Sequence, residues 1–153
     1  MRIVIQRVKE ASVTIVSSPE EDVRSIGPGY LILVGICDDD TTDDAEWLVK
    51  KVVGLRVFDD EAGVMNRSIM DTGGNILVVS QFTLYASYKK GNRPSWFRAA
   101  RHDVSVPLYE HFCRRLSEET GREVKTGEFG AMMDVSLIND GPVTICMDTK
   151  NKE

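Results

Sequence analysis

The sequence predicts a single α+β domain in which an antiparallel or mixed sheet, curled toward a barrel, is covered by two main helices. Three observations support this fold class. About seven or eight short segments have the apolar pattern of strands, and most are separated by turn residues. Two longer segments repeat their apolar residues at helical spacing. A chain of 153 residues, 42% of them hydrophobic, is large enough to bury one sizeable core.

Composition and charge narrow the class of protein. With 28% charged residues and no apolar run of membrane-spanning length, the sequence is typical of a soluble protein. The first residues enter a strand pattern directly, so no signal peptide is predicted and a cytoplasmic location is expected. The cysteines are far apart, which predicts reduced thiols in the core: Cys37, Cys113 and Cys146. The net charge of -5 argues against general adhesion to nucleic acid, although a local basic surface is compatible with it.

The first part of the chain predicts strands joined by short connections. Strand character is found in residues 2–16, 23–26 and 30–36. The first segment alternates over its length and predicts one long strand, or two with a break near Glu10. The third is almost wholly apolar, which is typical of a central strand covered on both faces. A polar loop at 17–22 and a turn at 27–29 connect these segments.

The first helix is predicted to follow an acidic segment. Asp43 and Glu46 are spaced as in a capping box, with acidic side chains at the positive end of the helix dipole. Apolar residues then recur at helical spacing: Ala45, Leu48, Val49, Val52 and Leu55. This apolar face is expected to cover one side of the sheet.

The rest of the chain predicts further strands and a second helix. Strands are expected at residues 55–58, 75–82 and 123–129, whereas 64–70 is ambiguous. The second helix is predicted over 103–120, with Ser105 as its cap, Pro107 in its first turn and Gly121 at its end. Its expected buried stripe comprises Leu108, Tyr109, Phe112, Cys113 and Leu116. The domain is expected to span residues 1–148, and residues 149–153 to form a frayed tail.

Polar side chains stand where the strand at 75–82 ends, and strand ends are where rigid scaffolds deliver functional groups. Ser80 and Thr83 offer hydroxyl groups, Gln81 an amide, and Phe82 a flat apolar wall. The same residues are also compatible with a simple turn. A functional site and a structural turn therefore both remain open at this point.

Neither a catalytic triad nor a metal site is predicted. A hydroxyl nucleophile needs an adjacent base, and the two histidines, His102 and His111, show no triad pattern with the polar strand end. Two isolated histidines and scattered cysteines also lack the spacing of metal ligands. No cofactor is expected.

The segment Asn139-Asp140-Gly141-Pro142-Val143-Thr144 separates two strand-like runs. Asn-Asp-Gly is typical of a turn, and Gly-Pro breaks regular structure. Pro142 cannot donate to a sheet ladder, and bonds preceding proline are the ones for which the cis form is energetically cheap. The segment is therefore either a plain turn or a place where backbone, unobstructed by a side chain at Gly141, faces a ligand or partner.

A basic and aromatic segment covers residues 87–101. From Thr72 to His102 the chain contains no Asp or Glu, but it contains five basic residues that could bind nucleic acid: Lys89, Lys90, Arg93, Arg98 and Arg101. Their interleaving with Tyr88, Trp96 and Phe97 suits phosphate contacts and base stacking. The alternative is a solvated loop whose aromatic residues lie in the core.

Several of these motifs together resemble the D-aminoacyl-tRNA deacylase family, formerly called D-tyrosyl-tRNA deacylase. The resemblance extends from Met1 to about Asp148, in the same order and spacing. It rests on the opening MRIVIQRV at 1–8, GPG at 27–29, SQFTLYA at 80–86, KGNRPS at 90–95, GEFGA at 127–131 and NDGPVT at 139–144. A somewhat longer loop at 17–22 and a bulky Trp96 depart from the family pattern without affecting the motif residues.

The resemblance implies a specific activity and assembly. Family members hydrolyse the ester between a D-amino acid, or glycine, and the 3′-terminal ribose of tRNA. They are homodimers in which a Gly-Pro pair with a cis bond enters the pocket of the other subunit; here that pair is Gly141-Pro142. Residues matching the pocket lining are Ser80, Gln81, Phe82 and Thr83. Met133 resembles a residue that packs there, and Arg7 one that fixes the Gly-Pro segment.

Two other classes of function are compatible with parts of the sequence. A non-catalytic module could use the segment at 87–101 to hold nucleic acid, and a structural dimer would need no chemistry at all. Neither would need the SQFT motif paired with Gly141-Pro142. The sequence therefore favours a tRNA-dependent hydrolase without metal or cofactor and without a membrane partner.

Overall fold

The computed structural model describes residues 1–16 and 22–153 as a mixed sheet with helices on one face. In chain order the strands are β1 (Arg2–Ile15), β2 (Asp22–Ile26), β3 (Gly29–Gly35), β4 (Phe58–Asp59), β5 (Met65–Arg67), β6 (Asn75–Ser80), β7 (Lys125–Thr126) and β8 (Met133–Asp148). The helices are α1 (Thr42–Gly54), the single-turn α2 (Ile69–Thr72) and α3 (His102–Thr120), with a 3-10 turn at Phe82–Tyr85. The predicted loop at 17–22 lies outside the described residues apart from Asp22, which begins β2.

The long strand β1 organises the sheet. It pairs with β3 through its first half and β2 through its second half on one edge, and with β8 along the other, in each case antiparallel. Beyond β3 the sheet continues through β6 and β7 in parallel, and β4 and β5 form a separate ribbon. The sheet is therefore mixed and curls toward a barrel, which confirms the predicted fold class.

Each face of the sheet buries its own group of side chains. Alternation along the strands sends Ile3, Ile5, Ile32 and Val78 to one face, where they pack against α1 and α3. The opposite face holds a second cluster: Val8, Ala11, Val13, Ile15, Ile26, Leu31, Leu77 and Val79. β3 contributes to both clusters, as its continuous apolar run predicts.

Both long helices are confirmed, and so is Gly121 as the C-terminal cap of α3, but the N-terminal caps were predicted wrongly. The capping box of α1 is formed by Thr41 and Asp44, because Asp44 stands at the position whose carboxylate reaches back to the Thr41 N–H, at 2.9 Å. α3 begins at His102 after Arg101, so Ser105 lies one turn inside and its hydroxyl donates to the Arg101 carbonyl at 2.8 Å. The predicted buried stripe of α3 is confirmed in full.

Several strand boundaries differ from the predictions. The expected strand at 55–58 is only Phe58–Asp59, and the one at 123–129 is reduced to Lys125–Thr126. β6 stops at Ser80 because the chain coils into the 3-10 turn directly afterwards. The turn expected at 139–142 does not separate two strands, since β8 runs through it as one strand of 16 residues.

The predicted frayed tail and buried cysteines also need correction. Thr149 is buried and its hydroxyl accepts a hydrogen bond from the Met1 ammonium at 2.6 Å, and Lys150 pairs with Asp44 at 3.0 Å. Cys37 and Cys113 are buried, whereas Cys146 is exposed on β8; all three are free thiols. In residues 1–16 and 22–153, no helix is long and apolar enough to cross a membrane.

Candidate active site

A short turn after β6 displays the predicted pocket residues. Ser80 is the last residue of β6 and stands opposite Val34, and the Gln81 N–H donates to the Val34 carbonyl at 2.7 Å. The chain then enters the 3-10 turn, in which the Leu84 N–H donates to the Gln81 carbonyl at 3.2 Å. The sheet therefore fixes the start of the turn. The structure brings Ser80, Gln81, Phe82 and Thr83 together as one surface at the end of this strand.

The end of the turn at Leu84 and Tyr85 is held by close packing on β3 and by the Arg2 guanidinium. A Cβ atom at Gly35 would lie 2.9 Å from the Leu84 Cβ, so only glycine lets the turn lie this close to β3. The Arg2 guanidinium donates to the Leu84 carbonyl at 3.1 Å and lies 4.6 Å from the centre of the Tyr85 ring. These contacts make the turn rigid, which a specificity pocket requires.

The turn presents neutral polar groups without a strong base. The Gln81 amide donates to the Thr83 hydroxyl oxygen, and a primary amide cannot activate that hydroxyl as a general base. Burial raises the pKa of Tyr85 above its ordinary value and that of the nearby Cys37 thiol to about 11, so both groups are neutral at pH 7. These side chains can bind and orient a substrate, but they do not form a nucleophile with an adjacent general base.

The two histidines are engaged elsewhere. His102 packs edge-to-face on Phe129, with ring centres 5.3 Å apart. His111 contacts Glu46 at 2.8 Å on the outer side of α1 and α3. In the described part of the chain, no group of three His, Cys, Asp or Glu residues could hold a metal ion.

An exposed aromatic pair links the turn to the basic segment. Phe82 is 54% exposed and Trp96 40% exposed, and their rings meet edge-to-face with centres 5.3 Å apart. The basic segment folds back on itself through the bridge between Ser87 and Ser95, and Arg98 lies 5.5 Å from the Tyr85 ring centre. Its predicted tRNA-binding residues are all exposed: Lys89, Lys90, Arg93, Arg98 and Arg101. Among the described residues, none of the five has a carboxylate within 4.0 Å.

The Gly141-Pro142 pair lies in a bulge of β8. Val8 pairs with Asn139 and Gln6 with Thr144, so the four residues 140–143 of β8 stand opposite Arg7 alone. Gly141 has a φ of +117°, and both residues of the pair are exposed. Their peptide bond is cis, as the resemblance implied. The bulge therefore presents bare backbone outward from the sheet.

Arg7 anchors this bulge from within the protein. Its side chain is buried, and its Nε lies 3.2 Å from both the carbonyl and the carboxylate of Asp140. Its Nη1 donates to the Val57 carbonyl at 2.6 Å and lies 3.3 Å from the Asp59 carboxylate. Because the guanidinium is rigid and multiply bonded, it fixes the bulge relative to the loop after α1.

The two groups of predicted site residues are separate within one chain. Ser80 of β6 pairs with Val34 of β3, which pairs with Ile3 of β1. The bulge lies on β8, one strand beyond β1, and stands opposite Arg7, four residues further along β1 than Ile3. These steps correspond to roughly 15–20 Å. Met133 lies at the start of β8, packed against the cluster that includes Val79 of β6.

Sequence reasoning missed the residues that shape the bulge. Gln6 accepts hydrogen bonds from Asn139 and Thr144, which flank the bulge on either side, and Asp140 supplies the contacts to Arg7. Asn139 and Thr144 belong to a recognised motif, but nothing in their spacing predicts Gln6 as their partner. That contact depends on the strand register, which the sequence did not reveal.

Comparison with known proteins identifies the relatives of this chain. The family model described as D-Tyr-tRNA(Tyr) deacylase matches residues 4–148. A curated D-aminoacyl-tRNA deacylase from Phocaeicola vulgatus is 65% identical over 153 residues and 100% of both chains. A solved structure titled c-Myc DNA Unwinding Element Binding Protein is 40% identical, with a TM-score of 0.87 over 97% of this chain and 98% of that one.

A second solved structure shares the fold alone. It is titled as the structural analysis of a probable eukaryotic D-amino acid tRNA deacylase and is 17% identical, with a TM-score of 0.80. It covers 95% of this chain and 97% of that chain. The family match, by contrast, spans nearly the whole sequence and includes both the turn after β6 and the bulge of β8. The chain therefore belongs to the D-Tyr-tRNA(Tyr) deacylase family and is a hydrolase of the aminoacyl-tRNA ester bond.

Proposed function

We propose that this enzyme hydrolyses the ester between a D-amino acid, or glycine, and the 3′-terminal ribose of tRNA, and rejects L-aminoacyl-tRNA. The observation that carries the proposal is the rigid Gly141-Pro142 bulge, exposed on β8 and remote from the Ser80–Thr83 turn of its own chain. The bulge of one subunit enters the pocket formed by the turn of a second subunit. The functional unit is a homodimer with two such shared sites.

The exposed edge of β8 supports this assembly. β8 has 16 residues and pairs with β1 on one side, while its other edge carries no strand in the described part of the chain. Exposed apolar side chains lie along it: Val135, Leu137 and Ile138. A long, exposed edge with apolar side chains favours pairing with another chain. A second copy that covers this edge also carries the bulge toward a pocket.

A backbone wedge suits the required selectivity. The enzyme must accept many different side chains but reject every L-configured one, so it cannot rely on reading the side chain. The wedge fills the direction in which an L side chain would point and leaves the D side chain in open space. Glycine has no side chain to exclude, and it is therefore hydrolysed as well. Met133 packs at the pocket, and Arg7 holds the wedge in place.

Hydrolysis needs little from the side chains of the pocket. The first N–H groups of a 3-10 turn have no acceptor within it, so those of Phe82 and Thr83 can donate to the oxyanion that develops on the ester. A positioned water attacks the carbonyl carbon, and the bond between that carbon and the ribose 3′-oxygen breaks to release the amino acid. The neighbouring 2′-hydroxyl of the substrate's own ribose relays the proton of the water to the departing 3′-oxygen. Ser80, Gln81 and Thr83 orient the amino acid, and Phe82 forms the wall.

The basic segment adds tRNA binding to this chemistry. Its five exposed cations contact phosphates of the acceptor end, while the Phe82–Trp96 pair offers a surface for an unpaired base. The name of the 40% identical structure refers to DNA binding by that protein. Here we propose tRNA as the partner and the cytoplasm as the location. The proposal is that the segment serves hydrolysis and does not replace it.

The test compares ester loss from D-tyrosyl-tRNA and L-tyrosyl-tRNA under single-turnover conditions, with and without protein. The proposal predicts rapid hydrolysis of the D-ester and a rate near background for the L-ester. Equal rates for both, or binding of tRNA without ester loss, would defeat it.

A further inference from the structure

The two residues that flank the bulge of β8, Asn139 and Thr144, form its base, and one side chain joins them across that base. The last regular pairs on either side are Val8 with Asn139 and Gln6 with Thr144. The side-chain amide of Asn139 donates to the Gln6 Oε1 at 2.9 Å, and the Thr144 hydroxyl donates to the same oxygen at 2.5 Å. The Asn139 Nδ2 and the Thr144 Oγ1 are thereby held 3.5 Å apart. A single carboxamide oxygen therefore joins the two ends of the bulge.

Gln6 and Arg7 hold the bulge from opposite faces of the sheet. They are consecutive in β1, and successive side chains of a strand point to opposite sides. Arg7 contacts Asp140 inside the bulge, whereas Gln6 contacts the residues that flank it. Arg7 alone leaves the width of the base free to change. Both contacts together fix the position of Gly141.

We propose that Gln6 is a positioning residue that determines selectivity between D- and L-aminoacyl-tRNA by closing the base of the Gly141-Pro142 bulge. This inference rests on the proposed function, because it assigns the bulge the role of the wedge. Gln6 acts through an acceptor oxygen, so a substitution can remove its hydrogen bonds without changing the length of its side chain. When the two flanking residues separate, the backbone between them relaxes and Gly141 moves away from the position that excludes an L side chain.

Two substitutions of Gln6 isolate this acceptor. Gln6→Met keeps the length of the side chain but removes the acceptor for Asn139 and Thr144. Gln6→Glu keeps oxygen acceptors at the same distance along the side chain and serves as the matched control. Thr144→Val removes only one of the two donors at an exposed position and provides an independent variant.

The measured quantity is the ratio of single-turnover rates on D-tyrosyl-tRNA and L-tyrosyl-tRNA. Gln6→Met is expected to lower this ratio by about ten-fold or more, because displacements near 1 Å change rates by up to about a hundred-fold. Gln6→Glu is expected to retain the wild-type ratio, and Thr144→Val to fall between them. All three should elute as the wild type does on size exclusion.

The outcomes separate this inference from the proposed function. A selective wild type whose ratio is unchanged in both Gln6→Met and Thr144→Val overturns the role of Gln6 and leaves the proposed function standing. An equal loss of selectivity in Gln6→Glu and Gln6→Met also overturns it, since the acceptor would then not be what matters. A wild-type protein that hydrolyses neither ester defeats the proposed function and this inference with it.

Discussion

Replacing Gly141 with alanine tests whether the bulge acts through the position of its backbone. Gly141 has a φ of +117°, where side-chain-bearing residues are strained. A Cβ atom there would lie 2.9 Å from the Arg7 Nη2 and 3.0 Å from the Val143 Cγ2. Arg7 cannot move aside freely, because its guanidinium is buried and bonded to Val57 and Asp140.

The cost of the substitution follows from these contacts. Backbone strain at such a φ is about 1–3 kcal/mol. Displacing the Arg7 guanidinium weakens at least one charge-assisted hydrogen bond, which costs about 1.5–3 kcal/mol. The sum is about 2.5–6 kcal/mol, and a shift of the bulge is the structural change that relieves it. Because the bulge is exposed, we expect the displacement to spare most of the free energy of unfolding and to reduce activity instead.

The assay is single-turnover hydrolysis of D-tyrosyl-tRNA, with thermal unfolding of the same samples. Gly141→Ala is expected to slow hydrolysis by about 100-fold, because the added methyl group and the shifted bulge take up space that the bound D-ester needs, and a misplacement of about 1 Å has an effect of this size. The matched control is Gly121→Ala, which carries a left-handed φ of +65° but has no atom within 4 Å of the added Cβ. The control should lose about 1–2 kcal/mol of stability and no activity. A Gly141→Ala protein with the wild-type rate and the wild-type preference for D-esters would refute the reasoning.

Three further predictions concern the pocket, the basic segment and metal. Thr83→Ala should retain substantial activity, because Thr83 accepts a hydrogen bond from Gln81 and has no base beside it; a trapped acyl adduct on Thr83 would contradict this. Changing Lys89, Lys90 and Arg93 to Glu should weaken tRNA binding and lower the slope of log K against log salt concentration by about 2–3, because about 0.7–0.9 of that slope is lost per phosphate contact. A salt titration of tRNA binding checks this. An unchanged slope would mean that the segment is a solvated loop that does not contact tRNA. Hydrolysis should persist after dialysis against a chelator, whereas abolition by chelation and recovery with zinc would disprove metal independence.

Much of the fold was predictable because it depends on local periodicity. The alternation of β1 and the helical spacing in α1 and α3 indicated the two sheet faces and the helices that cover one of them. Boundaries were less predictable, since competing groups decide them. The capping box of α1 is formed by Thr41 and Asp44, whereas the sequence had predicted Asp43 and Glu46. Glu46 instead forms an ion pair with Arg115 at 2.9 Å. That ion pair is tertiary and leaves no signal in the local sequence.

The candidate site divides in the same way. The SQFT motif identified the turn after β6, because strand ends and polar side chains are visible in the sequence. The Gly141-Pro142 segment was recognised as a break, but its form was not, since a bulge within one long strand depends on pairing with β1. The role of Gln6 required that register as well. Contacts between distant strands are therefore where sequence reasoning stopped.

The central claim, that each site combines the turn of one subunit with the bulge of the other, is tested most directly by complementation. Gly141→Ala damages the bulge, and Thr83→Trp is designed to fill the pocket. Each is expected to be a nearly inactive homodimer. The two variants are co-expressed with different tags, and the mixed dimer is isolated through both tags.

The measurement is the rate of D-tyrosyl-tRNA hydrolysis by this mixed dimer. In a shared arrangement, one of its two sites pairs an intact turn with an intact bulge, so the activity should return to about half of the wild-type value. A mixed dimer as inactive as its two parents would contradict the claim, because each site would then draw its turn and its bulge from a single chain.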